Sequence, residues 1–214
     1  MAHTEDLSTP ARREFLKRFF HDLATPLSAV SLHLEGADRR LRRGTDPTDS
    51  LTVARRELGK AFDLFDRGRE FLLEDPGPAA PLELDGLAAA TVSRYPGVRL
   101  EGSTGASVTG SPKTLGAALE ALIVNAVEAS APESVHVVLG RTGARVFARV
   151  DNPGSLPADD PDSLFSPKSA RPGKPWGMGL SRARVAAADA GGTVRLEQQG
   201  ERVFATLELP EGPR

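Results

Sequence analysis

Two long apolar stripes at helical spacing, cut off by a proline-rich break, limit what this chain can fold into. From Phe15 onward, Phe19, Leu23, Leu27, Val30, Leu34, Ala37 and Leu41 recur at steps of three and four. That spacing marks an amphipathic helix several turns long. Gly44-Thr45-Asp46-Pro47-Thr48-Asp49 reads as a turn. A second stripe follows in Leu51, Ala54, Leu58, Ala61 or Phe62, Phe65 and Leu72. Two long helices on a short loop form an antiparallel hairpin, and one hairpin has too little surface to bury both stripes. Pairing two copies into a four-helix bundle solves this, so we expect a homodimer.

Pro76-Gly77-Pro78-Ala79-Ala80-Pro81 breaks helix and ends the periodicity together. The expected organisation is therefore a helical hairpin over 8–75, a linker over 76–81 and a second domain over 82–210. Beyond the linker the texture changes. A short helix around Asp85–Tyr95 precedes β-like runs at 98–101 and 106–109, and Ser111 with Pro112 opens a helix reaching Ala129. Alternation marks strands near Ser134–Leu139, Ala144–Val150, Thr193–Gln198 and Arg202–Leu209, with helix again from Gly179 to Ala190. An irregular stretch rich in Pro, Gly, Ser and Asp lies at 152–176. The fold class expected is α+β: an N-terminal hairpin forming a dimeric four-helix bundle, then a two-layer α/β sandwich interrupted by a long functional loop.

Composition narrows function by exclusion. With 27 Lys and Arg against 29 Asp and Glu, the net charge is −2, and no basic lobe argues for nucleic acid. There is no cysteine, so disulfides, thiolate zinc sites and cysteine nucleophiles are excluded. No apolar run approaches the ~20 residues that span a bilayer, and the N-terminus is not a signal peptide. A cytoplasmic protein without membrane insertion is expected.

The chemistry concentrates in His21-Asp22-Leu23-Ala24-Thr25-Pro26. On a helix His21 and Thr25 share a face and Asp22 stands beside the imidazole. His21 lies about 200° around the axis from the apolar stripe, by helical geometry, and should face outward. A carboxylate at one ring nitrogen fixes the tautomer and stabilises the cation formed when the other attacks. Three further signals point to a nucleotide. Asn125 is polar within the apolar helix Ala121–Ala129, where a satisfied buried or edge asparagine is the plainer reading. Asp151 and Gly154, in Val150-Asp151-Asn152-Pro153-Gly154, could read an adenine amino group with close backbone approach, or simply mark a strand exit. Gly177 and Gly179 open a helix whose free N–H groups suit phosphate.

In this order, these motifs resemble the histidine protein kinases of two-component signalling over nearly the whole chain, about Phe15 to Leu209. Phe20 to Leu27 looks like the family's H-box with His21 as phosphoacceptor, which would make the hairpin a dimerisation and histidine-phosphotransfer domain. Asn125 resembles the N-box asparagine that helps hold Mg²⁺ against ATP, and Asp151 the adenine-reading aspartate of the first glycine box. Leu164-Phe165-Ser166-Pro167 resembles the F-box, and Gly177 and Gly179 the second glycine box. The implied second domain is a Bergerat-type ATP-binding fold; the loop residues Lys168, Arg171 and Lys174 could meet phosphates, with simple solvation the plainer reading. Two departures stand out. Ala121 occupies a position usually polar, where related ATPases place a water-activating Glu, and the glycine box around Pro153 and Gly154 is one residue short.

The resemblance implies an ATP- and Mg²⁺-dependent kinase that autophosphorylates on His21 and passes the phosphoryl group to an aspartate of a response regulator receiver domain. Asp22 would orient or deprotonate His21, and Thr25 would position water for dephosphorylating the regulator, unless it is a structural Thr before Pro26. The departures keep two alternatives: a histidine phosphotransfer protein that no longer uses ATP, and a non-catalytic dimeric scaffold binding a regulator. No ligand-sensing domain fits before Phe15, so input is expected from a separate sensor protein, from the short N-terminal segment or from a removed region.

Overall fold

The structure, a computed structural model, describes residues 10–156, 160–165 and 178–212. Two units are distinct. One holds Glu14–Glu74, and the other holds the described residues from Asp75 on, together with 10–13.

The first unit is built from α1 (Pro10–Arg42) from Glu14 onward, continuous through Pro26, and α2 (Thr48–Leu73). The turn between them is fixed by polar contacts. Asp46 Oδ1 accepts from the backbone N–H (2.9 Å) and hydroxyl (2.6 Å) of Thr48, satisfying a donor at the start of α2. The helices run antiparallel. Phe15 meets Phe71 edge-on at 4.7 Å between ring centroids, and Phe19 lies over Gly68. Their shared seam is mostly small: Ala37, Ala54, Ala61 and Gly68 are buried, with Leu64. The apolar stripes therefore divide. Leu27, Leu34 and Leu41 of α1 are exposed at steps of seven, as are Leu51, Leu58, Phe65 and Leu72 of α2. A two-helix contact covers only one narrow face of each helix, so the heptad faces stay open.

The second unit comprises β1 (Ala80–Glu83), α3 (Leu84–Val92), β2 (Arg99–Glu101), β3 (Ser107–Gly110), α4 (Pro112–Ala129), β4 (His136–Thr142), β5 (Arg145–Pro153), α5 (Gly179–Asp189), β6 (Thr193–Gln199) and β7 (Arg202–Pro210). Five strands form one sheet in the order β2-β4-β5-β7-β6, with β2 and β4 parallel and the other pairs antiparallel. Strands β1 and β3 make a separate antiparallel ribbon. Several boundaries differ from the sequence reading, three of them near the linker and the central strands. Ala80 and Pro81, assigned to the linker, begin β1, where the ribbon has room for a proline that cannot donate. A 3-10 turn at Pro132–Ser134 delays β4 to His136. Strand β5 does not stop at Val150 but continues to Pro153, paired throughout with β7.

Side chains alternate across the sheet. Val146, Ala148, Val150 and Asn152 of β5 face the core, in which Leu115, Leu119, Leu122 and Ile123 of α4 are also fully buried. Each such Leu or Ile contributes about 1.5–3 kcal/mol through burial. The opposite sheet face is polar and aromatic. There Arg149 sits 5.9 and 5.3 Å from the ring centroids of Phe147 and Phe204, Arg145 pairs with Glu208, and Arg202 pairs with Asp151. Ser111 caps α4 as expected, accepting from Thr114 N–H at 3.4 Å with Pro112 in the first turn. Its hydroxyl also donates to the Pro76 carbonyl, and Lys113 Nζ donates to the Asp75 carbonyl at 2.9 Å, so the linker is tied to the start of α4.

Candidate active site

In the helical unit, the imidazole of His21 is 74% exposed and Asp22 is 2% exposed. Helical geometry accounts for the first: His21 lies two residues from the buried Phe19, across the helix from the seam. His21 Nδ1 and Asp22 Oδ1 are 3.2 Å apart. A carboxylate there holds the ring proton on Nδ1 and leaves the lone pair on Nε2, the nitrogen suited to attack an electrophile. Thr25 is exposed one turn on, and its hydroxyl donates to the His21 carbonyl at 3.3 Å. Pro26, buried, has no N–H to offer the carbonyl one turn back.

In the α/β unit, Asn125 is exposed on α4, not a satisfied core residue. One turn earlier, Ala121 packs against the start of α5: a β-carbon at Gly179 would lie 3.2 Å from that of Ala121. Helix α5 begins at Gly179 with Met178 as its N-cap, which makes no side-chain cap, and the first amides of a helix suit an anion. The segment leading to the loop is anchored on the same helix. Phe165 is buried with the Arg184 guanidinium 3.7 Å from its ring centroid, Ser181 donates to the Phe165 carbonyl, and Arg184 pairs with Asp162. Lys168, Arg171, Lys174 and Gly177 lie outside the described residues.

Asp151 is not where the sequence reading puts it. Because β5 runs on to Pro153, Asp151 alternates onto the sheet face opposite the helices. There Arg202 holds its Oδ2 through Nη2 (2.8 Å) and Nε (3.1 Å). The residue that faces the helical layer is its neighbour Asn152, 5% exposed, whose Nδ2 donates to the Pro153 carbonyl at 2.7 Å. The period of two along the strand was the signal that could have separated them. Gly154 follows at φ +142°, a backbone conformation suited to glycine, with its N–H bonded to the Glu201 carbonyl at 2.9 Å.

No family model matches the chain. It is 25% identical over 227 residues to the sensor-like histidine kinase SenX3 of Mycolicibacterium smegmatis, covering 94% of this chain but 58% of that relative's length. Among solved structures, histidine kinase ThkA in complex with response regulator protein TrrA matches with a TM-score of 0.58 at 18% identity, over 93% of this chain and 61% of that one. The ATP-binding domain of PrrB from Mycobacterium tuberculosis matches with a TM-score of 0.51 at 24% identity, over 64% of this chain and all of that one. The chain is similar to histidine protein kinases and spans less than two thirds of the length of the relative it matches. Its α/β unit has the fold of their catalytic domains, and the expected α+β class, a helical hairpin followed by a two-layer sandwich, holds. Among the described residues no helix is long and apolar enough to cross a membrane.

Proposed function

We propose that the chain is the core of an ATP-dependent protein histidine kinase: a phosphotransfer hairpin over 8–75 joined to a nucleotide-binding domain over 82–210. One observation carries the reading. An exposed imidazole has a buried carboxylate at its Nδ1, in a chain whose other unit has the catalytic-domain fold. In the transfer, His21 Nε2 attacks the γ-phosphorus, an N–P bond forms and the bond to the ADP oxygen breaks. The Nδ1 proton stays in place, and Asp22 stabilises the cationic ring. The receiver domain of a response regulator would then take the phosphoryl group on an aspartate.

The residues present fit Mg-ATP. Gly179 opens an uncapped helix suited to phosphate, and exposed Asn125 on the neighbouring helix offers an amide oxygen. Mg²⁺ commonly binds through substrate phosphates and few protein ligands; when bound it would neutralise phosphate charge. Ala121 has no group to activate water, which favours transfer to histidine over hydrolysis. Lys168 and Gly177 are retained as further nucleotide contacts by resemblance alone.

Dimerisation through the exposed heptad faces is part of the proposal. So is Thr25 as a water-positioning hydroxyl for dephosphorylating the regulator, as is a cytoplasmic location with input from a separate sensor protein. The displaced Asp151 favours one second reading, a phosphotransfer protein without nucleotide binding. Autophosphorylation with γ-labelled ATP decides between them: wild type should gain acid-labile phosphate and His21→Gln none, with nucleotide binding intact. Labelling that survives in His21→Gln removes the assignment, and a wild type that exchanges phosphate only with a phosphorylated receiver selects the second reading.

A further inference from the structure

A nucleotide that meets Asn125 and the start of α5 lies on the helical side of the sheet. A β5 side chain can reach it only from the positions alternating toward that side: Val146, Ala148, Val150 and Asn152. Helix α4 packs on β5, and Asn152 is the single polar member of that set. Its amide end is already committed. Only an N–H donor can bond the Pro153 carbonyl, so Nδ2 takes that place at 2.7 Å and Oδ1 is left at the other end. Among the described residues nothing bonds Oδ1. A buried carboxamide with one fixed end, and an acceptor that no described residue uses, is an arrangement for reading a donor.

We infer that Asn152, not Asp151, selects the nucleobase in this chain, using Oδ1 to accept from the exocyclic amino group of adenine. The inference rests on the kinase reading and names the residue that sets its nucleotide specificity. Guanine presents an oxygen at the corresponding ring position, which would face Oδ1 acceptor to acceptor. Turning the carboxamide to suit guanine would break the bond to Pro153 and set Oδ1 against that carbonyl. Adenine selection therefore needs no acidic residue here, and the cost of burying a carboxylate is avoided. Gly154 beside it has a backbone at φ +142°, which favours glycine.

Calorimetric titration of the 214-residue protein with Mg-ATP and Mg-GTP tests this. Wild type should prefer ATP. Asn152→Ala should lower ATP affinity about tenfold and erase most of the preference, the scale of one lost hydrogen bond at a buried site. Asp151→Asn should leave both affinities within about twofold. Asn152→Leu, nearly isosteric but without an acceptor, should also lose most of the preference for ATP, and it carries the test if the alanine variant does not fold. Loss of ATP binding in Asp151→Asn, or an undiminished preference in Asn152→Ala, overturns the inference and leaves the kinase reading standing. A wild type that binds neither nucleotide overturns both.

Discussion

The ring of Phe19 lies so close over Gly68 that a β-carbon at Gly68 would sit 2.2 Å from Cε2 and 2.4 Å from Cζ. The glycine is the hole into which α1 inserts its aromatic knob, extended by Phe15, which stacks on Phe19 with centroids 6.0 Å apart. Gly68→Ala should destabilise the hairpin by about 1–3 kcal/mol through overpacking, outweighing the gain of up to about 1 kcal/mol in helix propensity. Gly59, on the same helix, has no atom within 4 Å of an added β-carbon. Gly59→Ala should therefore stabilise by about 0.5–1 kcal/mol. Thermal unfolding of the pair should move in opposite directions.

The open heptad faces predict association. Phe65 is 48% exposed and Leu58 39% exposed in the single chain, and a charge at either would be buried in a four-helix bundle. Phe65→Glu or Leu58→Glu should convert a dimer to a monomer in light scattering. The α/β unit should keep its nucleotide affinity. A wild type that runs as a monomer at micromolar concentration would remove the bundle from the proposal.

Asp85 ties α3 to the loop before β3. Burial alone would raise its carboxyl, but hydrogen bonds from the Ser103 and Thr104 hydroxyls and from the Thr104 and Gly105 amides outweigh that and hold it at about 2, below its ordinary 3.8. A folded-state value below the unfolded one stabilises at neutral pH, and that contribution fades as pH falls from about 4 to about 2. Screened by solvent at this partly exposed site, it amounts to about 1 kcal/mol. Urea unfolding should show wild type losing this increment across that window. Asp85→Asn should start lower at pH 7 and show a shallower acid dependence.

Asp22 and Thr25 should separate by reaction. With Asp22 at Nδ1 of His21, Asp22→Asn should slow autophosphorylation by about 10²-fold while leaving ATP affinity unchanged. Thr25→Ala removes only a hydroxyl bonded to a backbone carbonyl on an exposed face. It should preserve autophosphorylation and slow dephosphorylation of the regulator. Equal loss of both activities in Thr25→Ala would assign Thr25 to structure alone.

Elements with strong periodicity were legible in the sequence. The three- and four-residue spacing from Phe15 to Leu41 gave α1, and Ser111-Pro112 gave the start of α4, because capping and amphipathicity are local properties. The outward position of His21 followed from its angle to Phe19 by the same logic. Ala80 and Pro81 were not legible as strand, since a ribbon of two strands depends on β3, which lies more than twenty residues away in sequence. Nor was the burial of Asp22, which a stripe centred on Phe19 and Leu23 does not mark.

By itself the sequence determined the helical hairpin, the break after Glu74, the sheet-forming second half and the placement of His21 beside a carboxylate. The tertiary structure decided which side of the sheet each polar residue of β5 faces. Pairing with β7 carries the strand through Asn152 to Pro153, and in a strand one residue of extension or register changes the face. That pairing gives Asp151 to Arg202 on the open side and turns Asn152 toward the helices. The period of two in Val146, Ala148 and Val150 hints at this outcome, but whether it carries on past Val150 depends on a partner strand fifty residues later.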